Sequence, residues 1–185
     1  MIRILLPIIV VIIIAIILIF VIWFIKTMNN LRQAEVKVDE ALSDIDVALM
    51  KRYDVLTKML DITKGYANYE KETLLETMKL RSNMSMAERN NAIEEMDEAF
   101  QFVNAVSVNY PQLKAIENYR ALQSSVMNVE EHLQAARRLC NGNIAYLNQR
   151  IVSFPASMVA GMLNIARREF LKIDSEQRKD IKMSF

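Results

Sequence analysis

The side chains that could carry out chemistry in this sequence are few, beginning with a single histidine and a single cysteine. His132 has Glu131 beside it, but no second histidine and no cysteine lies close to it in sequence, so the ligands of a metal site are missing. Cys140 falls on an apolar helix face, where no cation at a helix N-terminus would favour its thiolate. We therefore predict a solvated histidine and a buried, unreactive thiol.

The residues that usually support a hydroxyl nucleophile or a phosphate-binding loop are also missing. A serine or threonine hydroxyl is a weak nucleophile without a neighbouring base, and His132 is the one histidine that could serve. The 3 glycines are scattered, so no glycine-rich loop could hold a phosphate. We predict that the protein is not an enzyme, with no catalytic residue, no metal ion, no cofactor and no small-molecule substrate.

Several charged residues lie on or beside apolar helix faces and form a second candidate group. Arg52 follows Ile45 by seven residues, where a heptad pattern would place an apolar side chain. Pairing of an arginine with an acidic residue across helices would fix their register. The candidate buried network comprises Asp46, Arg52, Glu70, Glu130 and Arg137. Two alternatives stay open, namely solvated charges paired within their own helix and a catalytic pair of carboxylates.

The first element that must position these groups is an unbroken apolar run from Ile4 to Ile25. A bilayer core about 30 Å thick requires about 20 apolar residues in a helix. Trp23 and the following Lys26 are typical of an anchor at the membrane interface. The run is longer than a signal-peptide core, and no small-residue cleavage site follows it. We predict a short tail at residues 1–3 and a retained single-pass transmembrane helix at residues 4–25.

Composition favours an all-helical protein without affinity for nucleic acid. The 185 residues carry a net charge of +1, with 23 Lys+Arg against 22 Asp+Glu, so there is no basic excess to neutralise phosphates. Only 3 glycines and 3 prolines are present, which leaves few residues for tight hairpins. The expected partner is the lipid bilayer.

After the anchor, apolar residues recur at steps of three and four, which predicts one continuous helix from the membrane to about Leu80. Gly65 lies inside this stretch and is interpreted as a point of close helix packing or a slight bend, with a break into two helices as the alternative. A second helix is predicted from a capping box, Ser85-Met86-Ala87-Glu88, to the residue pair before Pro111.

The third predicted helix begins near Leu113 or Glu117 and ends or bends at Pro155. Its apolar seam alternates steps of three and four, as in a coiled coil: Ile116, Tyr119, Leu122, Val126, Val129, Leu133, Ala136, Cys140, Ile144, Leu147, Ile151 and Phe154. Residues 156–172 predict a short amphipathic helix. Its Met158, Met162 and Leu163 are candidates for contact with another subunit or with the membrane, the alternative being a cap on the bundle.

Together these elements predict an all-α fold: the N-terminal transmembrane helix continues into an elongated antiparallel three- or four-helix bundle at residues 26–172, followed by a flexible charged tail at residues 173–185. The first bundle helix is much longer than the second, so parts of two apolar faces are expected to lack a partner within the chain. Exposed apolar stripes are rare in monomers, which leads us to expect a homo-oligomer.

Two blocks of the sequence resemble the LemA family. The first is SDIDVALMKRYDVL at residues 43–56, followed by KGYA at residues 64–67 and then Glu70. The second begins with YPQLKA at residues 110–115 and continues through Asn118-Tyr119, Glu130, Ala136-Arg137, Asn141, Asn148 and Phe154-Pro155. The sequence departs from the family pattern at Thr57 and Lys58, and at Cys140 and Leu147, where the family has tyrosines.

The resemblance implies a bacterial, membrane-anchored, all-helical protein for which no catalytic residues are defined. Family members are often found beside membrane zinc metallopeptidases or other envelope proteins. We therefore hold two hypotheses: a self-associating scaffold of the cell envelope, or a regulatory adaptor that binds a membrane enzyme such as a zinc metallopeptidase. An enzyme is the third and least supported class.

The side of the membrane that the bundle occupies is indicated by two opposing signals. Lys26, Arg32 and Lys37 follow the apolar run and favour a cytoplasmic bundle. The short basic tail with Arg3 before a long apolar run is typical of a signal anchor whose following domain is exported, and the resemblance points the same way. The balance slightly favours a bundle outside the cytoplasm of a bacterial cell.

Overall fold

A computed structural model of the chain describes residues 2–66 and 84–172, with side chains from residue 8 onward. Its helices are α1 (Ile2–Thr63), α2 (Met86–Asn109), a 3₁₀ helix (Pro111–Ala115), α3 (Glu117–Val152) and α4 (Ala156–Met162). No β-strand occurs within the two described ranges, which confirms the all-α prediction. Unit 1 consists of Met1–Asp39 with Asn143–Arg168, and unit 2 of Glu40–Gly142 with Glu169–Phe185.

The N-terminal part of α1 is long and apolar enough to cross a membrane. Its mean hydropathy reaches 3.8, and none of the side chains in that stretch is buried by the rest of the chain. Ile4 and Ile25 both lie within α1, and Trp23 is half-buried with its ring centroid 5.7 Å from that of Phe20. An apolar helix that its own chain leaves uncovered fits a membrane-anchored protein.

Beyond the apolar run, α1 continues without interruption and buries the predicted face. Its buried apolar residues are Leu31, Ala34 and Val38 in unit 1, and Ala41, Ile45, Ala48, Leu49, Leu56, Met59 and Leu60 in unit 2. Their steps of three and four are those of one helix face packed against neighbouring helices. The absence of glycine and proline in this stretch explains why anchor and bundle share a single helix.

The prediction that this helix runs through Gly65 is wrong, because α1 ends at Thr63 and residues 64–66 form a turn. The Tyr66 N–H donates to the Thr63 carbonyl at 2.9 Å, and the Thr63 hydroxyl donates to the Leu60 carbonyl at 2.9 Å. Among the described residues, no atom other than those of Gly65 and its chain neighbours lies within 4 Å of the position that a Cβ on Gly65 would take, so none of them needs a glycine here for close packing. The part of the predicted helix from residue 67 to Leu80, and Glu70 with it, lies outside the described residues.

Helix α2 begins at the predicted capping box. The Glu88 N–H donates to the Ser85 hydroxyl oxygen at 3.2 Å, and the Ser85 N–H donates to the Glu88 carboxylate at 2.7 Å, which satisfies two N–H groups at the helix start. The helix ends at Asn109, two residues before Pro111, as predicted. A 3₁₀ helix then leads into α3, which begins at Glu117, the later of the two predicted starts.

In unit 2, the ion pairs between helices show in which direction each helix runs relative to the others. Asp46 of α1 pairs with Arg89 of α2, and Arg52, further along α1, pairs with Asp97, further along α2. Helices α1 and α2 are therefore parallel neighbours, so the antiparallel arrangement predicted for the bundle does not hold between these two helices. Arg52 also pairs with Glu130 of α3, and Arg89 acts electrostatically on Cys140, later in α3. Helix α3 therefore runs antiparallel to both of the other helices.

Most of the predicted seam of α3 is buried within the single chain. Tyr119, Val126, Leu133, Ala136, Cys140, Ile144 and Leu147 are all buried. These positions of α3 are covered within the chain, so the uncovered stretch expected on this face does not include them. Four further members of the seam are half-buried, namely Ile116, Leu122, Val129 and Ile151, and the last member, Phe154, lies exposed beyond the end of α3.

Helix α4 is shorter than predicted, because it ends at Met162 rather than near Lys172. Asn164 adopts a left-handed backbone conformation with φ of 53°, and the Ile165 N–H reaches back to the Ala160 carbonyl at 3.1 Å. This six-to-one bond around a left-handed asparagine is a Schellman-type helix end, and the buried Ile165 supplies its usual apolar contact. Residues 165–172 then continue without regular secondary structure.

Side-chain amides hold this C-terminal segment. In unit 2, the Asn141 amide donates to the Leu171 carbonyl at 3.2 Å and accepts from the Leu171 N–H at 3.0 Å, while the Lys172 N–H donates to Asn90 at 3.1 Å. In unit 1, Asn148 makes the same pair of bonds with Arg168, at 2.8 and 2.9 Å. Asn141 and Asn148 of α3 therefore each satisfy the backbone N–H and C=O of one residue together, as a neighbouring strand would.

We predict that replacing Asn141→Ala releases the segment that carries Leu171. The substitution removes two hydrogen bonds worth about 1 kcal/mol each, so local opening should become about 10- to 30-fold more frequent. Hydrogen–deuterium exchange of the full chain in detergent should show faster exchange at residues 169–172. Asn128→Ala, at an exposed asparagine of α3, is the control and should leave this exchange unchanged. Equal exchange in both variants would contradict the assignment.

Candidate functional site

The most distinctive group of side chains in unit 2 is centred on Arg52 of α1, which is only 3% exposed. Its Nη2 lies 2.5 Å from an Asp97 carboxylate oxygen on α2, and its Nε lies 2.5 Å from a Glu130 carboxylate oxygen on α3. Its Nη1 donates to the Ile93 carbonyl at 3.3 Å. One guanidinium group therefore connects three helices: it donates to the Asp97 carboxylate and to a backbone carbonyl of α2, and its Nε forms an ion pair with Glu130 of α3.

A second buried ion pair lies six residues earlier on α1. The Arg89 Nε and Nη2 atoms donate to the two carboxylate oxygens of Asp46 at 2.7 and 2.8 Å, and the remaining Nη1 donates to the Met84 carbonyl. Both Asp46 and Arg89 are buried. The paired geometry is the strong, two-bond form of an arginine–carboxylate contact, and it fixes the beginning of α2 against α1.

The structure brings together some of the five residues proposed for a buried network. Arg52 and Glu130 form an ion pair, Asp46 pairs with Arg89 rather than with Arg52 or Arg137, and the charge of Arg137 acts on Glu130. Glu70, the fifth member, lies outside the described residues. The i,i+4 alternative does not describe Arg52 or Asp46, whose partners lie on other helices.

Sequence reasoning missed Arg89 and Asp97. Arg89 lies four residues before Ile93 and seven before Met96, both buried, so the heptad argument that singled out Arg52 applies to it as well. Asp97 gave no comparable signal, because it lies beside the buried face of α2 and its side chain is partly exposed. Its role depends on the approach of Arg52, which is 45 residues away in the sequence.

Burial raises the pKa of two groups, one in this network and one beside it. The pKa of Glu130 is raised from its ordinary value because burial disfavours the carboxylate, and the opposing attraction of Arg52 is the smaller effect. Burial also raises the pKa of the Cys140 thiol to about 11, although the nearby Arg89 charge opposes the shift. Cys140 therefore remains a protonated thiol at neutral pH, in keeping with an unreactive residue.

The remaining candidates for chemistry can be located among the described residues. Within residues 2–66 and 84–172, no group of three or more His, Cys, Asp or Glu side chains is placed to hold a metal ion. His132 is exposed on α3. The carboxylates of Asp46, Asp97 and Glu130 each face an arginine, so their charges are engaged in holding helices together.

The three residues proposed for contact with a subunit or a membrane lie in unit 1. Met158 and Met162 are exposed on one side of α4, and Leu163, just after the helix, is half-buried. Val159 and Ala160, between the two methionines, are buried and hold α4 in place. Of the three residues that the sequence suggested for such a contact, Met158 and Met162 therefore lie on the exposed side of α4, and Leu163 does not.

The chain is similar in sequence to known proteins. A family model described as the LemA family matches residues 41–185. The chain is also 27% identical over 181 residues to Protein LemA of Metamycoplasma hominis, an overlap that covers 89% of this chain and 83% of that protein. The matched region contains the Asp97 and Glu130 carboxylates and all of α2 and α3.

We predict that Arg52→Leu strongly destabilises the fold. Removal of the guanidinium leaves Asp97 and Glu130 without their shared cation, and breaking a buried pair in this way costs about 3 kcal/mol. Urea unfolding of the full chain in detergent, followed by circular dichroism, measures the effect. Lys51→Leu makes a matched substitution at the exposed neighbouring residue and should change the unfolding free energy by less than about 0.5 kcal/mol. Similar losses in the two variants would contradict the role of Arg52.

We predict that Glu130→Gln makes stability less dependent on pH. Because the folded state raises the pKa of Glu130, the contribution of this group to stability is fully present below its unfolded pKa of 4.5 and is lost as pH rises through the folded value. The stability of the variant relative to the parent should therefore rise between about pH 4 and about pH 7. A relative stability that fell over this range would mean that Arg52 outweighs burial.

Proposed function

This chain belongs to the LemA family, and from that premise we propose that it is a membrane-anchored scaffold whose copies associate side by side in the bacterial cell membrane. The observation that supports this proposal is that the buried charged groups pair with one another between helices. Arg52 and Arg89 are buried and paired with carboxylates on other helices, which fixes helix register and leaves the surface of α1 for contact with partners. A shape fixed in this way suits a structural role.

The surface of α1 in unit 2 offers a face for association between copies. Val47 and Met50 are 45% and 40% exposed, and they lie between exposed Ser43 and Asp54 at steps of four, three and four. This spacing is that of a coiled-coil seam, although a short one. The face is separate from the buried stripe through Ile45 and Leu49, which packs within the chain.

Membrane anchoring makes a small apolar face sufficient. Copies held by the same N-terminal helix share one orientation and are confined to a plane, which greatly raises their effective concentration relative to free chains. Identical faces then meet at the same height above the bilayer. We propose this arrangement on the outer side of the membrane, because a short basic N-terminal tail precedes a long apolar run.

We predict that wild-type protein extracted in mild detergent forms a particle of many subunits, and that Val47→Glu with Met50→Glu reduces its size. Charges placed on the associating face would have to be desolvated in every contact. Size exclusion with light scattering measures the mass, and electron micrographs of the peak show the assembly. Met127→Glu, at a methionine of α3 that is 69% exposed, is the matched control and should leave the particle intact.

One result would overturn the proposed association, and another would overturn only the choice of face. A wild-type monomer at every concentration tested would show that copies do not associate, and a stoichiometric membrane enzyme bound to that monomer would favour the adaptor function. A large particle that tolerates both glutamates would place the contact between copies on another face.

A further inference from the structure

An exposed apolar surface in unit 1 follows the end of α3. Phe154, Met158 and Met162 are 81%, 63% and 72% exposed, and successive members lie four residues apart. The neighbouring Val159 and Ala160 are buried, so this side of α4 is held outward by packing on its other side. Three large apolar side chains presented together are characteristic of a contact surface rather than of scattered exposure. We refer to these three residues as the α4 patch.

The direction of α3 within unit 1 places this patch near the membrane anchor. The Asn143 side chain donates to the Lys37 carbonyl of α1 at 3.0 Å. Residues 143–168 pack with residues 1–39, so α3 runs from this contact towards the N-terminal part of α1. If it ran the other way, the residues after Asn143 would lie beside the part of α1 that belongs to unit 2.

The position of the patch along the axis of α1 follows from helix geometry. Both helices rise about 1.5 Å per residue and run in opposite directions. A step of one residue towards the C-terminus of α3 therefore matches a step of about one residue towards the N-terminus of α1. Phe154 lies 11 residues after Asn143, and 11 residues before Lys37 is Lys26, where the apolar run of the anchor has just ended. Phe154, the first member of the α4 patch, is therefore level with about Lys26, beside the residues expected at the membrane interface, and Met158 and Met162 follow it on the short helix α4.

The charges around the patch match a lipid surface. Residues 143–168 contain three arginines and no aspartate or glutamate, and one of the three, Arg168, lies 3.6 Å from the Asp39 carboxylate of α1. The Arg150 guanidinium lies 5.2 Å from the centre of the exposed Tyr146 ring, in the same part of α3. A surface that combines aromatic rings, the Arg150 guanidinium and apolar side chains is suited to anionic lipid headgroups and the outer acyl region.

From this geometry we propose that Phe154, Met158 and Met162 insert into the interfacial region of the bilayer beside the anchor, which gives the chain a second membrane contact. The occupant is lipid rather than a second copy because the anchor already brings the patch to the membrane surface. No further encounter is then needed to cover it. The inference requires that α1 crosses the membrane, but it does not depend on association between copies.

Labelled variants of the full chain in vesicles of phosphatidylcholine and phosphatidylglycerol test this contact. Met158→Cys carries an environment-sensitive fluorophore, and Met127→Cys, at a similarly exposed methionine of unit 2, carries the same label as the matched control. The buried Cys140 should stay unmodified while the fold is intact, so one label per chain also reports correct folding. Vesicles hold about one chain each, which prevents contacts between copies.

The label on Met158→Cys should be quenched by lipids that carry a nitroxide high in the acyl chain, and it should be at least about fivefold less sensitive to aqueous iodide than the label on Met127→Cys. Equal sensitivity to iodide at the two positions would overturn the proposal. Protection from iodide without quenching by nitroxide lipids would also overturn it, because protein would then cover the patch. Phe154→Cys, examined in the same way, should repeat the result for Met158→Cys.

Discussion

A buried arginine must have counter-charges, and this requirement organises unit 2. The Arg52 guanidinium is almost completely removed from water, where an unpaired charge would cost several kcal/mol. Its two carboxylate partners lie on α2 and α3, so the cation is satisfied only when all three helices are present in one alignment. Asp46 and Arg89 repeat the requirement six residues earlier along α1. The helices cannot slide past one another without leaving several buried charges unpaired.

This constraint answers a problem that long amphipathic helices share. Apolar faces built from steps of three and four remain apolar after a shift of seven residues, so hydrophobic burial alone specifies register poorly. Ion pairs do not tolerate such a shift, because Arg52 would then leave both Asp97 and Glu130. The raised pKa of Glu130 shows that burial outweighs the attraction of Arg52 for this carboxyl. The network is therefore better understood as a device for specificity than as a source of stability.

The extent to which the sequence predicted this structure depends on the range of the interactions involved. The capping box at Ser85, the end of α2 before Pro111 and the buried seam of α3 follow from contacts between near neighbours, and each was predictable. The partners of Arg52 and Asp46 lie more than 40 residues away in sequence, so the sequence identified the charges without identifying all of their pairs. The early end of α4 depends on the backbone conformation of Asn164 and on amides that Asn141 and Asn148 offer from another helix.

The distribution of polar and apolar side chains links the fold to the proposed role. Soluble domains usually place charges outside and large apolar residues inside, yet here Asp46, Arg52 and Arg89 are buried while Phe154, Met158 and Met162 are exposed. The two departures have different physical explanations. The buried charges form ion pairs with residues on other helices, so they fix how the helices of unit 2 pack together. The exposed apolar residues belong to unit 1, which also contains the helix that can cross a membrane, and lipid is the solvent in which their exposure ceases to be unfavourable.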